Sequence, residues 1–72
     1  MELKELEYIV TIAEEGSISK AAERLYMAQS SLSQYVARYE AELGVKLFKR
    51  TSGGVKTTAA GELFLRSARQ ML

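Results

Sequence analysis

A 72-residue chain with no cysteine, no histidine and no aspartate rules out disulfides and thiolate metal sites, and removes nearly every Ser-His-Asp, Cys-His and zinc arrangement. A hydrophobic fraction of 47% and a charged fraction of 26% describe one small globular domain, able to bury about 60% of the surface its unfolded chain exposes. No apolar run approaches the roughly 20 residues of a membrane span, and no signal peptide opens the chain, so a cytoplasmic setting without a membrane partner is expected.

Glu, Tyr, Lys and Ser are present, but in no catalytic spacing, so neither an enzyme nor a metal or cofactor site is expected. The net charge of +1 conceals an asymmetry. Residues 1–45 hold four Lys/Arg against eight Glu, a net of −4, whereas residues 46–72 hold six against Glu62 alone, a net of +5. Cations gathered in one part of a chain point to a polyanion partner, although a solvated basic tail has the same composition.

In chain order, Leu3, Leu6, Ile9, Val10 and Ala13 recur at helical spacing and predict a first amphipathic helix over about residues 2–15. Gly16 stops it, and Ser17, with Ser19 as a rival, can cap a short second helix. Ile18, Ala21, Ala22 and Leu25 form the inner face of that helix, the paired alanines allowing a neighbour to approach closely. A tight turn at residues 26–28 leads into a third helix over residues 29–43.

That third helix has one apolar stripe, Leu32, Val36, Tyr39 and Leu43. Its opposite side carries Ser30, Gln34, Ala37, Arg38 and Ala41, with Gln29 and Ser33 on the flank. Solvated helix faces are usually laced with Glu–Lys pairs, yet residues 29–38 contain no carboxylate and Arg38 is their one charge. An amide- and hydroxyl-rich face without negative charge suits a helix lying against base edges. Two short helices joined by a tight turn, the second with such a face, predict a helix-turn-helix at residues 18–37. A plain helical hairpin within a bundle is the structural alternative.

Gly44 ends the third helix, with Val45 placed for the hydrophobic contact that often follows. The period then changes. Residues 47–50 and 55–57 predict two short strands around a turn at residues 51–54, whose paired glycines supply positive φ. A basic hairpin in this position is a wing, and Lys49, Arg50 and Lys56 can reach phosphate or a groove edge. Thr58 can cap a last helix from Ala59, in which Ala60, Leu63, Phe64, Ser67, Ala68 and Met71 recur at three- and four-residue steps. That stripe predicts packing on the domain, a dimer partner, or both.

Taken together these residues resemble the DNA-binding domain of LysR-type transcriptional regulators. The resemblance rests on Gly16-Ser17 followed by residues 21–25, on Gln29 with Leu32-Ser33, on Leu43-Gly44-Val45 with Leu47-Phe48, and on Arg50-Thr51, in this order and spacing. It covers essentially the whole chain. It implies a mainly α winged helix-turn-helix over residues 1–58, with the motif at 18–37 and the wing at 47–57, followed at residues 59–72 by the start of a linker helix. It also implies a bacterial regulator that binds double-stranded DNA as a homodimer or tetramer. A small-molecule effector would act only through a further domain not contained in this chain, which therefore resembles a fragment.

Four positions depart from the family pattern. Ala28 stands where a capping Ser or Thr is usual, at a cost of about 1 kcal/mol if nothing substitutes, and Ser30 stands where proline is common. Gln34 replaces a frequent arginine, exchanging a guanine-reading fork for an amide suited to adenine. Gly53 replaces a frequent arginine at the wing tip. The resulting expectation is that Gln29, Ser30, Ser33 and Gln34 contact bases, and that Ser31, Arg38, Lys49, Arg50 and Lys56 contact the DNA backbone. A winged-helix module serving only protein–protein contact is the alternative.

Overall fold

The computed structural model describes residues 2–72, with helices α1 (Leu3–Glu15), α2 (Ile18–Arg24), α3 (Gln29–Leu43) and α4 (Ala59–Met71) and strands β1 (Phe48–Thr51) and β2 (Gly54–Thr57) between α3 and α4. The expected winged helix-turn-helix is therefore present, and the local signals for most helix ends act as read. Gly16 adopts φ 65° and its N–H bonds the Ile12 carbonyl at 2.8 Å. The Ser17 hydroxyl, rather than that of Ser19, caps α2 by accepting the Lys20 N–H at 3.2 Å.

The α1 stripe needs correction. Leu3 is exposed and Ala13 half-buried, while Thr11 and Ile12 are buried with Leu6, Ile9 and Val10. The reason is that α1 packs against α2 and α4 as well as β2, so its buried arc is wider than one stripe. Thr11 satisfies its hydroxyl on the Glu7 carbonyl at 2.7 Å.

The α2–α3 turn closes through Tyr26 N–H to the Glu23 carbonyl at 3.2 Å and Met27 N–H to the Ala22 carbonyl at 3.0 Å. Tyr26, 97% exposed, adopts φ +56°, a left-handed conformation that costs a non-glycine residue about 1 kcal/mol or more. In α3, Leu32, Val36 and Tyr39 are buried as expected. Leu43 is not, since the last turn projects beyond the core, and Glu40 is buried in addition. Gly44 (φ 74°) ends the helix, and Val45 N–H bonds the Glu40 carbonyl at 3.3 Å. Val45 stays exposed, and the first buried residue after the helix is Leu47.

The wing is an antiparallel pair in which Phe48 faces Thr57, Lys49 faces Lys56, Arg50 faces Val55 and Thr51 faces Gly54. The turn is thus the two residues Ser52 and Gly53, and Leu47 precedes the strand as a core plug rather than opening it. Of the two wing glycines, Gly54 has the positive φ, 140°. Close approach explains it: a Cβ there would overlap the Gly16 carbonyl oxygen, which accepts the Val55 N–H at 3.0 Å. The wing is therefore pinned, close to its turn, to the α1–α2 junction.

Thr58 caps α4 as expected, accepting the Gly61 N–H at 3.0 Å, and its hydroxyl donates to the Lys46 carbonyl at 2.6 Å. The stripe assigned to dimerisation is divided by the fold. Ala68 lies in the domain's own core, with Gly61 and Leu65, neither of which belonged to that stripe. Phe64 is half-buried, its ring edge-to-face with Tyr39 at 5.8 Å, and Ala60 is half-buried as well. Leu63, Ser67 and Met71 remain exposed. One face of α4 is consumed by packing on α1 and β2, which a three- and four-residue periodicity alone does not separate from a second, outward face.

Candidate nucleic-acid interface

The outer face of α3 is presented as the sequence predicts. Gln29, Ser30, Ser31, Gln34, Ala37 and Arg38 are exposed and Ser33 is half-buried. No side chain caps the helix at Ala28, so the amide N–H groups of its first turn, at the positive end of the helix dipole, are left for an acceptor from outside.

Burial of Glu40 extends this acid-free face. The residue is 7% exposed, and one carboxylate oxygen, Oε2, accepts the backbone N–H groups of Leu47 at 2.6 Å and Phe48 at 3.1 Å. The other oxygen lies 3.8 Å from Lys46 Nζ. Among the described residues of α3, the first carboxylate that reaches solvent is therefore Glu42, almost four turns from the helix start.

Between α3 and the wing runs an open groove. Ser33 and Ala37 lie on its helix wall, and Lys46, Lys49 and Arg50 on the other. Lys56, with Arg69 and Glu62, also borders a second depression between β2 and α4. The register sets Lys49 directly opposite Lys56. Like charges in opposed positions destabilise a strand pair by a few tenths of a kcal/mol or more, a cost that a polyanion partner removes.

Arg38 stands apart from the wing groove. Its guanidinium lies 5.4 Å from the centre of the Tyr35 ring, in a shallow depression shared with Glu5, Tyr39 and Glu42. Tyr35 in turn meets Tyr8 edge-on at 5.1 Å and stacks on Tyr39 at 6.3 Å. Burial, followed by the nearby Glu5 carboxylate, pushes the Tyr35 phenol well above its ordinary range, so this ring stays neutral beneath the cation. Arg24 is engaged elsewhere, bonded to Glu14 at 2.8 Å and Glu15 at 3.2 Å. Two residues lining the wing groove carry no sequence signal for it. Lys46 follows a glycine turn and looks like a solvated loop cation, and no periodic signal distinguishes Glu40 from its solvated neighbour Glu42.

This fold and this face define a winged helix-turn-helix protein. Residues 3–62 match the family described as bacterial regulatory helix-turn-helix protein, lysR family, and the chain belongs to it. Among curated relatives it is 44% identical to the HTH-type transcriptional regulator TfdT of Cupriavidus pinatubonensis, over 100% of this chain and 32% of that protein. It is 50% identical to the HTH-type transcriptional regulator AlsR of Bacillus subtilis, over 100% of this chain and 24% of that one. The chain thus spans about a quarter to a third of the curated relatives' length. Among solved structures it resembles the CbnR DNA-binding domain in complex with DNA, with a TM-score of 0.90, 39% identity, and coverage of 99% of this chain and 82% of that one. The BenM DNA-binding domain bound to catB site 1 DNA is similar, with a TM-score of 0.91, 44% identity, and coverage of 99% and 80%.

Proposed function

We propose that this chain is the double-stranded-DNA-binding module of a cytoplasmic bacterial transcription regulator, acting by recognition rather than catalysis. The observation that carries this reading is the acid-free outer face of α3 standing beside the cations of the wing groove. The DNA complexes of the similar CbnR and BenM domains support it. In this reading the first turns of α3 enter the major groove. Gln29, Ser33 and Gln34 read base edges, with Ser30 beside them. Ser31, Arg38, Lys46, Lys49, Arg50 and Lys56 hold phosphates, which adds affinity but little sequence information. Residues 1–58 form the binding domain and residues 59–72 begin a linker helix; tetramer formation and response to a small-molecule effector belong to the longer protein.

Titration into random duplex at several salt concentrations tests the core of this proposal. Four or more phosphate contacts give a log–log salt slope of about −3 or steeper. Binding that is absent, or insensitive to salt, overturns it and favours a winged-helix module for protein–protein contact.

The same proposal includes a homodimer formed through the exposed part of α4, with two recognition helices addressing half-sites one helical turn or a multiple apart. Leu63 and Met71 are 65% and 67% exposed, and their burial against a second copy removes apolar area from water. Leu63→Lys is expected to shift the sedimentation of a concentrated sample from dimer to monomer without loss of helical circular dichroism. A wild-type chain that sediments as a monomer, both free and on DNA, contradicts the assignment.

A further inference from the structure

Between the end of α3 and the start of β1 the chain makes a short loop, whose Lys46 carbonyl accepts the Thr58 hydroxyl from the start of α4 at 2.6 Å. Gly44, Val45 and Lys46 are all exposed, and the backbone packing of the wing is directed to α1 and α4, through β2. Yet the groove works as one surface only if the loop keeps the wing at a fixed distance from the helix. The side chain that bridges them is Glu40. It rises from the helix between the groove residues Val36 and Ala37 and the helix end, is buried, and grips two consecutive backbone N–H groups, Leu47 and Phe48, with the single oxygen Oε2. A carboxylate accepting N–H groups in a buried setting forms hydrogen bonds about twice as strong as neutral ones. Both bonds are set by the length of the glutamate side chain as well as by its charge.

We propose that Glu40 is a positioning residue for DNA binding, a strut that fixes the wing against the recognition helix so that the wing cations and the base-reading side chains engage one duplex together. This inference rests on the DNA-binding reading for its second half. Its first half concerns the free protein and stands by itself.

The strut makes reach decisive. Glu40→Gln keeps the side-chain length and an oxygen that can accept both N–H groups. Glu40→Asp keeps the charge but withdraws it by one methylene. A merely electrostatic or general stabilising role gives the opposite order, with aspartate the milder change. The first measurement is amide hydrogen exchange in the free 72-residue chain. Glu40→Asp should accelerate exchange at Leu47 and Phe48 by about tenfold or more, the loss expected for a hydrogen bond to a charged group, and Glu40→Gln by no more than about threefold. Unchanged exchange in Glu40→Asp overturns the strut whatever happens on DNA.

The second measurement is a pair of double-mutant cycles on the preferred duplex. In the Glu40→Asp background, Arg50→Ala should lose much less affinity than in wild type, because the wing no longer sits in register. Gln29→Ala should cost the same factor in both backgrounds, and Glu40→Gln should behave as wild type in both cycles. General destabilisation shifts every variant alike and does not single out the wing. If Arg50→Ala costs the same factor in all three backgrounds while exchange has changed as expected, the strut exists but does not position the wing for DNA, and the proposal fails. If wild type does not bind DNA at all, the DNA-binding reading fails, and with it the positioning role, whereas the exchange data still decide the strut.

Discussion

Gly61→Ala is expected to destabilise the domain by about 3 kcal/mol or more, near the upper end for overpacking a core. Helix propensity argues the other way, since exchanging a glycine for alanine inside a helix gains up to about 1 kcal/mol. Geometry decides the sign. A Cβ at position 61 would overlap the carbonyl oxygen of Leu47, and would lie 3.0 Å from its carbonyl carbon and 3.3 Å from its Cα. These are backbone atoms, so no side chain can swing aside. Nor can the Leu47 backbone retreat, because its N–H is held by Glu40 at 2.6 Å and its carbonyl accepts the Thr58 N–H at 3.0 Å. Urea unfolding of the variant measures the loss. A midpoint equal to or above that of wild type means that α4 can slide on the loop, and that the close approach of Gly61 to Leu47 is not needed.

Gln29→Ala and Arg50→Ala should fail in different ways. Loss of the Gln29 amide is expected to cost about 1–3 kcal/mol on the preferred site if it makes a bidentate contact to a base. It should cost little on random duplex, because an uncharged side chain releases no counterion. Arg50→Ala should weaken both DNAs by similar factors and flatten the salt slope by roughly one unit. Lys49→Ala belongs with Arg50, since both line the groove facing α3. Lys56 is paired directly with Lys49 across the hairpin and shares its face, so its loss should flatten the slope as that of Lys49 does. Binding measured on both DNAs at two salts separates these cases. If Gln29→Ala lowers both affinities equally, the recognition face has been misassigned and the helix docks another way.

Helix ends and the outer face of α3 were legible because they depend on local chemistry. Gly16 and Gly44 adopt left-handed φ, and Ser17 and Thr58 cap through their own hydroxyls. Each is decided within four residues, and so is the acid-free run from Gln29 to Arg38. The LysR-type pattern is legible for the same reason: it is an ordered set of such local signals, and residues 3–62 match that family.

What the sequence by itself determined is therefore the set of elements, their order, and which side of α3 faces outward, because periodicity and capping are short-range effects. Tertiary structure alone decided how residues 46–48 become the junction of the domain. Glu40 from α3, Thr58 from the start of α4 and the bare Cα of Gly61 converge there. None of the three carries a sequence signal for it: Glu40 looks like a solvated acid, and Gly61 looks like a weak helix residue. The same packing assigned Ala68 to the core and left Leu63 and Met71 outside. Burial is a property of what lies opposite a residue, and the partners at this junction are 7 to 14 residues away along the chain.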